Sequence, residues 1–266
     1  MGGTTIKLVR KGLSVLIVDL CDGEPARHAA RGEHHKQAVK AAEILGVERT
    51  TLTLQDRLIT DTVEARLQVA RVLRNHRPRI VFTTDGSGVH PDHEAGTDIV
   101  THGVFYARLP KWNELEVGQY LEDTDPHEIN LLFFGHCRME PAWDRCDFAV
   151  DVSDFYDLKM AALRVYESVF SGDQAALLDK YNAEDRYVGS LVGVQHAEAF
   201  RSRRPLLVED PEVFLKTRLG KVASAPQKLA AGTTPSVSPL GCSLKRSSVS
   251  RPPDFQGRRK RKKLCV

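Results

Sequence analysis

Apolar positions along this chain fall into short continuous runs separated by longer amphipathic stretches. Leu13-Ser-Val-Leu-Ile-Val18 is almost unbroken and ends at Asp19-Leu-Cys-Asp22, which predicts a strand buried on both faces, as in a parallel sheet. Before it, Thr4 to Gly12 reads as a helix closed by glycine. Residues 34–45 predict a helix stopped by Gly46, and Thr50 to Leu54 a short strand. Asp61 or Thr62 caps an amphipathic helix through Leu73 that carries Val63, Leu67, Val69, Ala70 and Val72 on its apolar side. Ile80–Phe82 is a second buried strand, followed by a helix over 91–107 that Pro91 opens. After a longer connection, Leu109–His127, come a strand at Leu131–Phe134, a strand edge at Phe148–Asp151, and helices over Tyr156–Phe170 and Gln174–Tyr187. Strands alternating with helices predict an α/β fold, doubly wound around a mainly parallel sheet with right-handed crossovers.

Composition narrows the class. A chain of 266 residues, 41% hydrophobic and 27% charged, suits one globular domain with something added. No stretch approaches the roughly 18 apolar residues of a membrane span, and the N-terminus lacks the basic and apolar regions of a secretory signal. Five scattered cysteines form no CxxC pair, which fits a reducing cytoplasm and implies no cysteine metal site. Charge is unevenly placed. Residues 221–266 hold 11 Lys and Arg against Asp254 alone, +10, and residues 1–220 are left at −7. The basic part is rich in Ser, Pro and Gly without apolar period, so a disordered tail is expected over 218–266 behind a domain over 1–217. Arg258-Arg-Lys-Arg-Lys-Lys263 could in principle contact nucleic acid, but with only Phe255 interleaved such binding is not expected.

The stretch richest in chemistry joins the second buried strand to its helix: Asp85-Gly-Ser-Gly-Val-His90-Pro-Asp-His93. Ligands of open α/β sheets collect just past the carboxyl ends of strands. At such a place His93 suits a neutral metal ligand, and His90 a proton carrier with Asp92 near enough to hold its tautomer. The same residues also fit an acidic first helical turn with two solvated histidines. Asp85-Gly-Ser-Gly reads as a lip to the site, and His28 and the His34-His35 pair as exposed residues.

The order of landmarks resembles the LmbE/PIG-L family of zinc-dependent N-acetylglucosaminide deacetylases, nearest its bacterial branch. The matching pieces are Gly2-Gly-Thr-Thr-Ile-Lys-Leu-Val, Asp22-Gly-Glu, Ala41-Ala-Glu-Ile-Leu-Gly-Val, Leu52-Thr-Leu-Gln-Asp-Arg-Leu and Asp61-Thr-Val-Glu-Ala-Arg. Further on come Arg77-Pro-Arg-Ile-Val-Phe, His90-Pro-Asp-His93, Val150-Asp-Val-Ser-Asp, Lys159-Met-Ala-Ala-Leu and Gly193-Val-Gln-His-Ala-Glu-Ala-Phe200. The resemblance implies that zinc-activated water removes acetyl from an N-acetylated amino sugar. It implies His93 as a zinc ligand, His90 as the group that steadies the oxyanion or protonates the amine, Asp92 as its orienter, and Asp56 as a binder of sugar hydroxyls. It places a substrate arginine within residues 27–35 without fixing which residue, and a role for His196 near the substrate.

One departure matters. The family's Ala-His-Pro-Asp-Asp-Glu segment, which carries two zinc ligands, the base and the first strand, would precede the Gly-Gly-Thr that here follows Met1. With fewer than three ligands no zinc site forms. Asp19, Asp22, Asp85 and His136, at or beyond strand ends, are the only candidate replacements, and replacement is not expected. The chain as given is expected to be marginally folded and inactive, with an unpaired gap in mid-sheet. Two further classes stay open: a glycan-binding protein of the same fold without catalysis, and a nucleic-acid-associated protein acting through the tail. No membrane partner is expected; a homo-oligomer is compatible.

Overall fold

The computed structural model describes residues 1–26, 28–86, 90–135, 146–166, 169, 174–210, 212 and 263–265. Met1–Arg204 and Lys260–Val266 make up one compact unit, and Pro205–Arg259 a second, of which only 205–210 and 212 are described. Elements follow in the order α1 Gly2–Arg10, β1 Ser14–Cys21, α2 Glu33–Leu45, β2 Glu48–Leu54, α3 Val63–His76, β3 Ile80–Thr84, α4 Pro91–Arg108, β4 Leu131–Gly135 and β5 Phe148–Asp151. They continue with α5 Tyr156–Arg164, α6 Gln174–Val192, β6 Ala197–Ser202 and β7 Lys263–Cys265. The sheet runs β2-β1-β7-β3-β4-β6-β5, parallel except for β6, which is antiparallel to both neighbours. This is the expected α/β class.

Helix boundaries have local causes. Thr62 caps α3 by accepting the Ala65 N–H at 3.2 Å. Gly46 closes α2 in the left-handed region at φ 72°. Alternation along the strands then sorts the core. Leu16 and Val81 turn toward α3 and α4, where Leu67, Val69, Ala70, Leu73 and Ile99 complete one apolar cluster. Val15, Phe82, Phe133 and Phe200 turn to the other face, against Leu8 and Val9 of α1. Both faces are therefore covered. Where α3 crosses α4, a Cβ on Gly103 would lie 2.7 Å from Val69 Cγ1 and 3.1 Å from the Arg66 carbonyl, so only glycine allows that approach. Arg74, 5% exposed, donates to the carbonyls of Ala107, Leu109 and Thr124 and anchors the connection after α4 to the core.

Three differences from the sequence reading stand out. Strand β6 lies in a segment to which no strand was assigned: Ala197-Glu-Ala-Phe-Arg-Ser alternates too weakly to announce itself, but it pairs with both β4 and β5. Its Glu198 belongs to a buried charge cluster in which Lys159 of α5 bridges Asp185 of α6 at 2.5 Å and Glu198 at 2.6 Å. The Glu198 carboxylate also accepts the N–H groups of Gly3 and Thr4 at the start of α1, where helical N–H groups favour an anion.

Lys263–Cys265, part of the expected disordered tail, is instead a strand between β1 and β3, paired through Ser14–Leu16 and Ile80–Val81. Its backbone finds partners on two sides, which outweighs its composition. The rest of 218–266, with the boundary expected near 217, lies outside the described residues. Strand β7 thus enters the expected mid-sheet gap, and among the described residues no strand pairs with β1 and β3 beyond it on that side. Helix α5 ends at Arg164; the expected end at Phe170 lies outside the described residues.

Candidate functional site

The carboxyl ends of β1 and β3, the turn after β2 and the first turn of α4 converge on a cavity of about 530 Å³. Asp56, His90, Asp92 and His93 all line it, so the four site residues expected from the sequence share one wall. Pro91 starts α4 at its first helical position and makes His90 the N-cap. From there the His90 and His93 rings stack, with centroids 5.0 Å apart and planes 25° apart.

The tautomer of His90 follows from this cap. Its Nδ1 accepts the backbone N–H of Asp92 at 3.3 Å, so in the neutral ring the proton sits on Nε2, free to be donated. Asp92, expected to orient His90, meets it through this N–H, while its carboxylate turns elsewhere. That carboxylate accepts the Arg57 backbone N–H at 2.6 Å, because Arg57 takes a left-handed turn at φ 66° that aims its amide at the helix start. Asp92 thus positions His90 through its main chain and ties the β2 turn to α4 through its side chain.

Burial holds the His93 imidazole below its ordinary pKa, the charge on His90 adds to this, and Asp92 opposes it. His93 is therefore neutral at pH 7, the form a metal ligand needs. Its turn is fixed from behind: Thr97 bonds the His93 carbonyl at 2.9 Å, the Thr84 carbonyl at 3.1 Å and the Thr84 hydroxyl at 2.8 Å. Gly86, at φ 71°, passes so close to Thr97 that an added Cβ would sit 3.3 Å from it. Thr84 and Thr97 were not singled out from sequence. Their one signal was the spacing of Thr97, one helical turn past His93.

Asp56 sits at the turn after β2 with Cys21 Sγ 3.7 Å from its Oδ1. Burial and the neighbouring Asp56 and Asp22 charges push the Cys21 thiol up, so it stays protonated. The other strand-end acids are committed elsewhere. Asp19 takes a bidentate grip from Arg49, at 2.6 and 2.8 Å, and Arg49 in turn donates to the Tyr166 hydroxyl. Asp22 accepts the Glu24 N–H in a local turn. His136 and the Ser87–Val89 part of the glycine lip lie outside the described residues, and so does Arg27 of the region expected to hold a substrate arginine.

His34, expected to be exposed, lines the cavity instead. Its Nδ1 lies 2.9 Å from the Asp22 carbonyl and its ring packs on Tyr166. His196 is buried at 6% exposure, stacked on Tyr156 with centroids 3.7 Å apart. It is absent from the cavity wall.

Zinc is tested against these residues. Among the described residues no three His, Cys, Asp or Glu side chains come together as a metal would require. His93 has the right charge state, but Asp19 and Asp92 are spent on Arg49 and Arg57. The described donor set does not fit a zinc site.

The comparisons with known proteins fall on this same region. Residues 1–104 match the family model described as PIG-L, GlcNAc-PI de-N-acetylase. A diacetylchitobiose deacetylase of Thermococcus kodakarensis is 30% identical over 214 residues, 76% of each chain. Among solved structures, a protein of Thermus thermophilus superposes with a TM-score of 0.69 at 33% identity, over 78% of this chain and 89% of that one. The 4-carboxy-2-hydroxymuconate hydratase GalB of Pseudomonas putida, 18% identical, shares the fold with a TM-score of 0.64, over 79% of this chain and 92% of that one.

Proposed function

Because this chain belongs to the PIG-L/LmbE family, we propose that its cavity is the site of an N-deacetylase acting on an N-acetylated amino sugar. The observation that carries this reading is the His90–His93 pair at the start of α4, which with Asp56 lines one cavity at the strand ends. In this reading the acetamide oxygen lies toward His90, whose Nε2–H steadies the oxyanion that develops as water attacks or, from the imidazolium form, protonates the departing amine. Asp56 accepts a sugar hydroxyl. Asp92 is a positioning residue, since its backbone N–H fixes which His90 nitrogen carries the proton.

The family resemblance assigns His93 to zinc, a metal that would supply activated water. The described residues offer it too few ligands to hold it. The same shortage favours a second reading, in which this chain binds the sugar without hydrolysing it. The scattered cysteines support a reducing compartment such as the cytoplasm, and no helix among the described residues is long and apolar enough to cross a membrane.

Calorimetric titration with N,N′-diacetylchitobiose, beside an acetate assay with and without added zinc, tests both readings. Saturable binding weakened by Asp56→Asn is expected of both readings, and acetate release of the deacetylase alone. Absence of binding overturns the sugar site altogether. Zinc-dependent acetate release overturns the non-catalytic reading and leaves the deacetylase.

A further inference from the structure

The turn that carries Asp56 holds an arginine where glycine would fit better. The Leu58 N–H closes this turn on the Gln55 carbonyl at 3.1 Å, and Arg57, its third residue, has φ at 66°. That region favours glycine, since the Cβ of any other residue crowds the next carbonyl. Arg57 is held there on three sides. Its N–H donates to the Asp92 carboxylate at the start of α4. Its Nη2 donates to the Pro25 carbonyl in the loop after β1 at 2.8 Å, and its Nε lies 3.6 Å from Asp56 Oδ2. One residue thus joins the loop after β1, the turn after β2 and the first turn of α4, all three of which line the cavity.

We propose that the Arg57 guanidinium is the group that positions Asp56 for a sugar hydroxyl, while the Arg57 backbone fixes the turn. The assignment rests on the sugar site proposed above. Arg57 itself is absent from the cavity wall, so it acts through Asp56 and not on the sugar.

The Asp56 carboxylate lies between two donors, with Cys21 Sγ 3.7 Å from Oδ1 and the Arg57 guanidinium beside Oδ2. It cannot turn out of that plane without leaving one of them. A thiol is a weak donor, so the guanidinium is the firmer neighbour. An exposed ion pair alone holds little in place, and the Arg57 side chain is 57% exposed. The bond to Pro25 changes this: with one edge anchored on a carbonyl, the planar guanidinium keeps its orientation toward Asp56.

The test uses the full chain, Arg57→Gly, Asp56→Asn and the double variant, titrated by calorimetry with uncharged N,N′-diacetylchitobiose. Arg57→Gly removes the guanidinium yet suits the left-handed turn, so the backbone bond to Asp92 is kept. Its affinity should fall by ~fivefold or more, with an unchanged melting temperature and faster hydrogen exchange at residues 23–26. The double variant should bind no worse than Asp56→Asn, because the effect runs through that carboxylate. If Arg57→Gly melts early, Arg57→Asn, which also tolerates the left-handed region, takes its place. Unchanged affinity on losing the guanidinium overturns the proposal. So does a further loss of the same size on top of Asp56→Asn, which would make Arg57 a sugar contact or a general support of the loop. Absence of binding by the unaltered chain removes the sugar site and this role together, whereas equal binding by the unaltered chain and Arg57→Gly removes the role alone.

Discussion

Replacing Lys159 by Met tests the buried charge cluster most directly. The Lys159 side chain is 4% exposed and those of Asp185 and Glu198 2% each, with N–O distances of 2.5 and 2.6 Å. Methionine keeps most of the side-chain volume, so the perturbation is electrostatic rather than a cavity. It leaves the Asp185 and Glu198 carboxylates in the interior without the lysine between them, Glu198 still lying 3.3 Å from the Met1 ammonium. Glu198 keeps the Gly3 and Thr4 N–H groups, which softens the effect on that side. Breaking a buried pair from one side costs about 3–5 kcal/mol, a large share of the roughly 5–15 kcal/mol that holds a domain folded. The assay is urea unfolding followed by circular dichroism, on Lys159→Met, Asp185→Asn and the double variant. Once the lysine is gone, removing the Asp185 charge removes one of the two carboxylates that the lysine had neutralised. The double variant should therefore lose less than the two single losses added, by on the order of 0.5–3 kcal/mol. A loss below about 1 kcal/mol for Lys159→Met, or strict additivity, would refute the argument that these three groups form one unit.

Other expectations follow from separate parts of the molecule. His90→Asn keeps a good N-cap but removes the Nε2–H donor, so stability should hold while diacetylchitobiose affinity, read by calorimetry, falls by about 1 kcal/mol. Gly103→Val forces α3 and α4 apart against Val69 and should cost about 1–3 kcal/mol in urea unfolding. Thr62→Ala removes the cap of α3 and should cost about 1 kcal/mol by the same measurement. Burial depresses the His196 pKa, helped by Arg186 and Lys159 and opposed by Asp185 and Asp157. Its stability contribution is then complete above the unfolded value of ~6.5 and lost as pH falls through the lower folded value. His196→Asn should flatten the fall in melting temperature over that window, and an unchanged pH profile would count against the burial argument.

Much of the scaffold was legible because burial on both strand faces writes itself as continuous apolar runs: Leu13–Val18 and Ile80–Phe82 became β1 and β3. Caps were legible too, since Thr62, Gly46 and Pro91 act through local geometry. What escaped depended on partners far away in sequence. Ala197–Ser202 is a strand because β4 and β5 flank it, and Lys263–Cys265 because two edges await it. At the site, the residue types at His90, Asp92 and His93, and the family resemblance at Asp56, named four residues that line one cavity. Their wiring did not follow, because the carboxylate of Asp92 is captured by Arg57, whose left-handed turn no short motif announces.

The short middle strand also bears on the order in which the protein folds. Ladder pairing divides into two blocks, β1 with β2 and β3 with β4, β6 and β5, and among the described residues only β7 bridges them. Within the first block, β1 and β2 are separated by a single helix. The bridge instead matches Ser14 with Lys263, nearly the whole chain apart. Closing so long a loop is entropically costly, and contacts of this kind form late. The two blocks should therefore assemble early around α3 and α4 and be stitched together last, with their facing edges exposed to any competing strand during the interval.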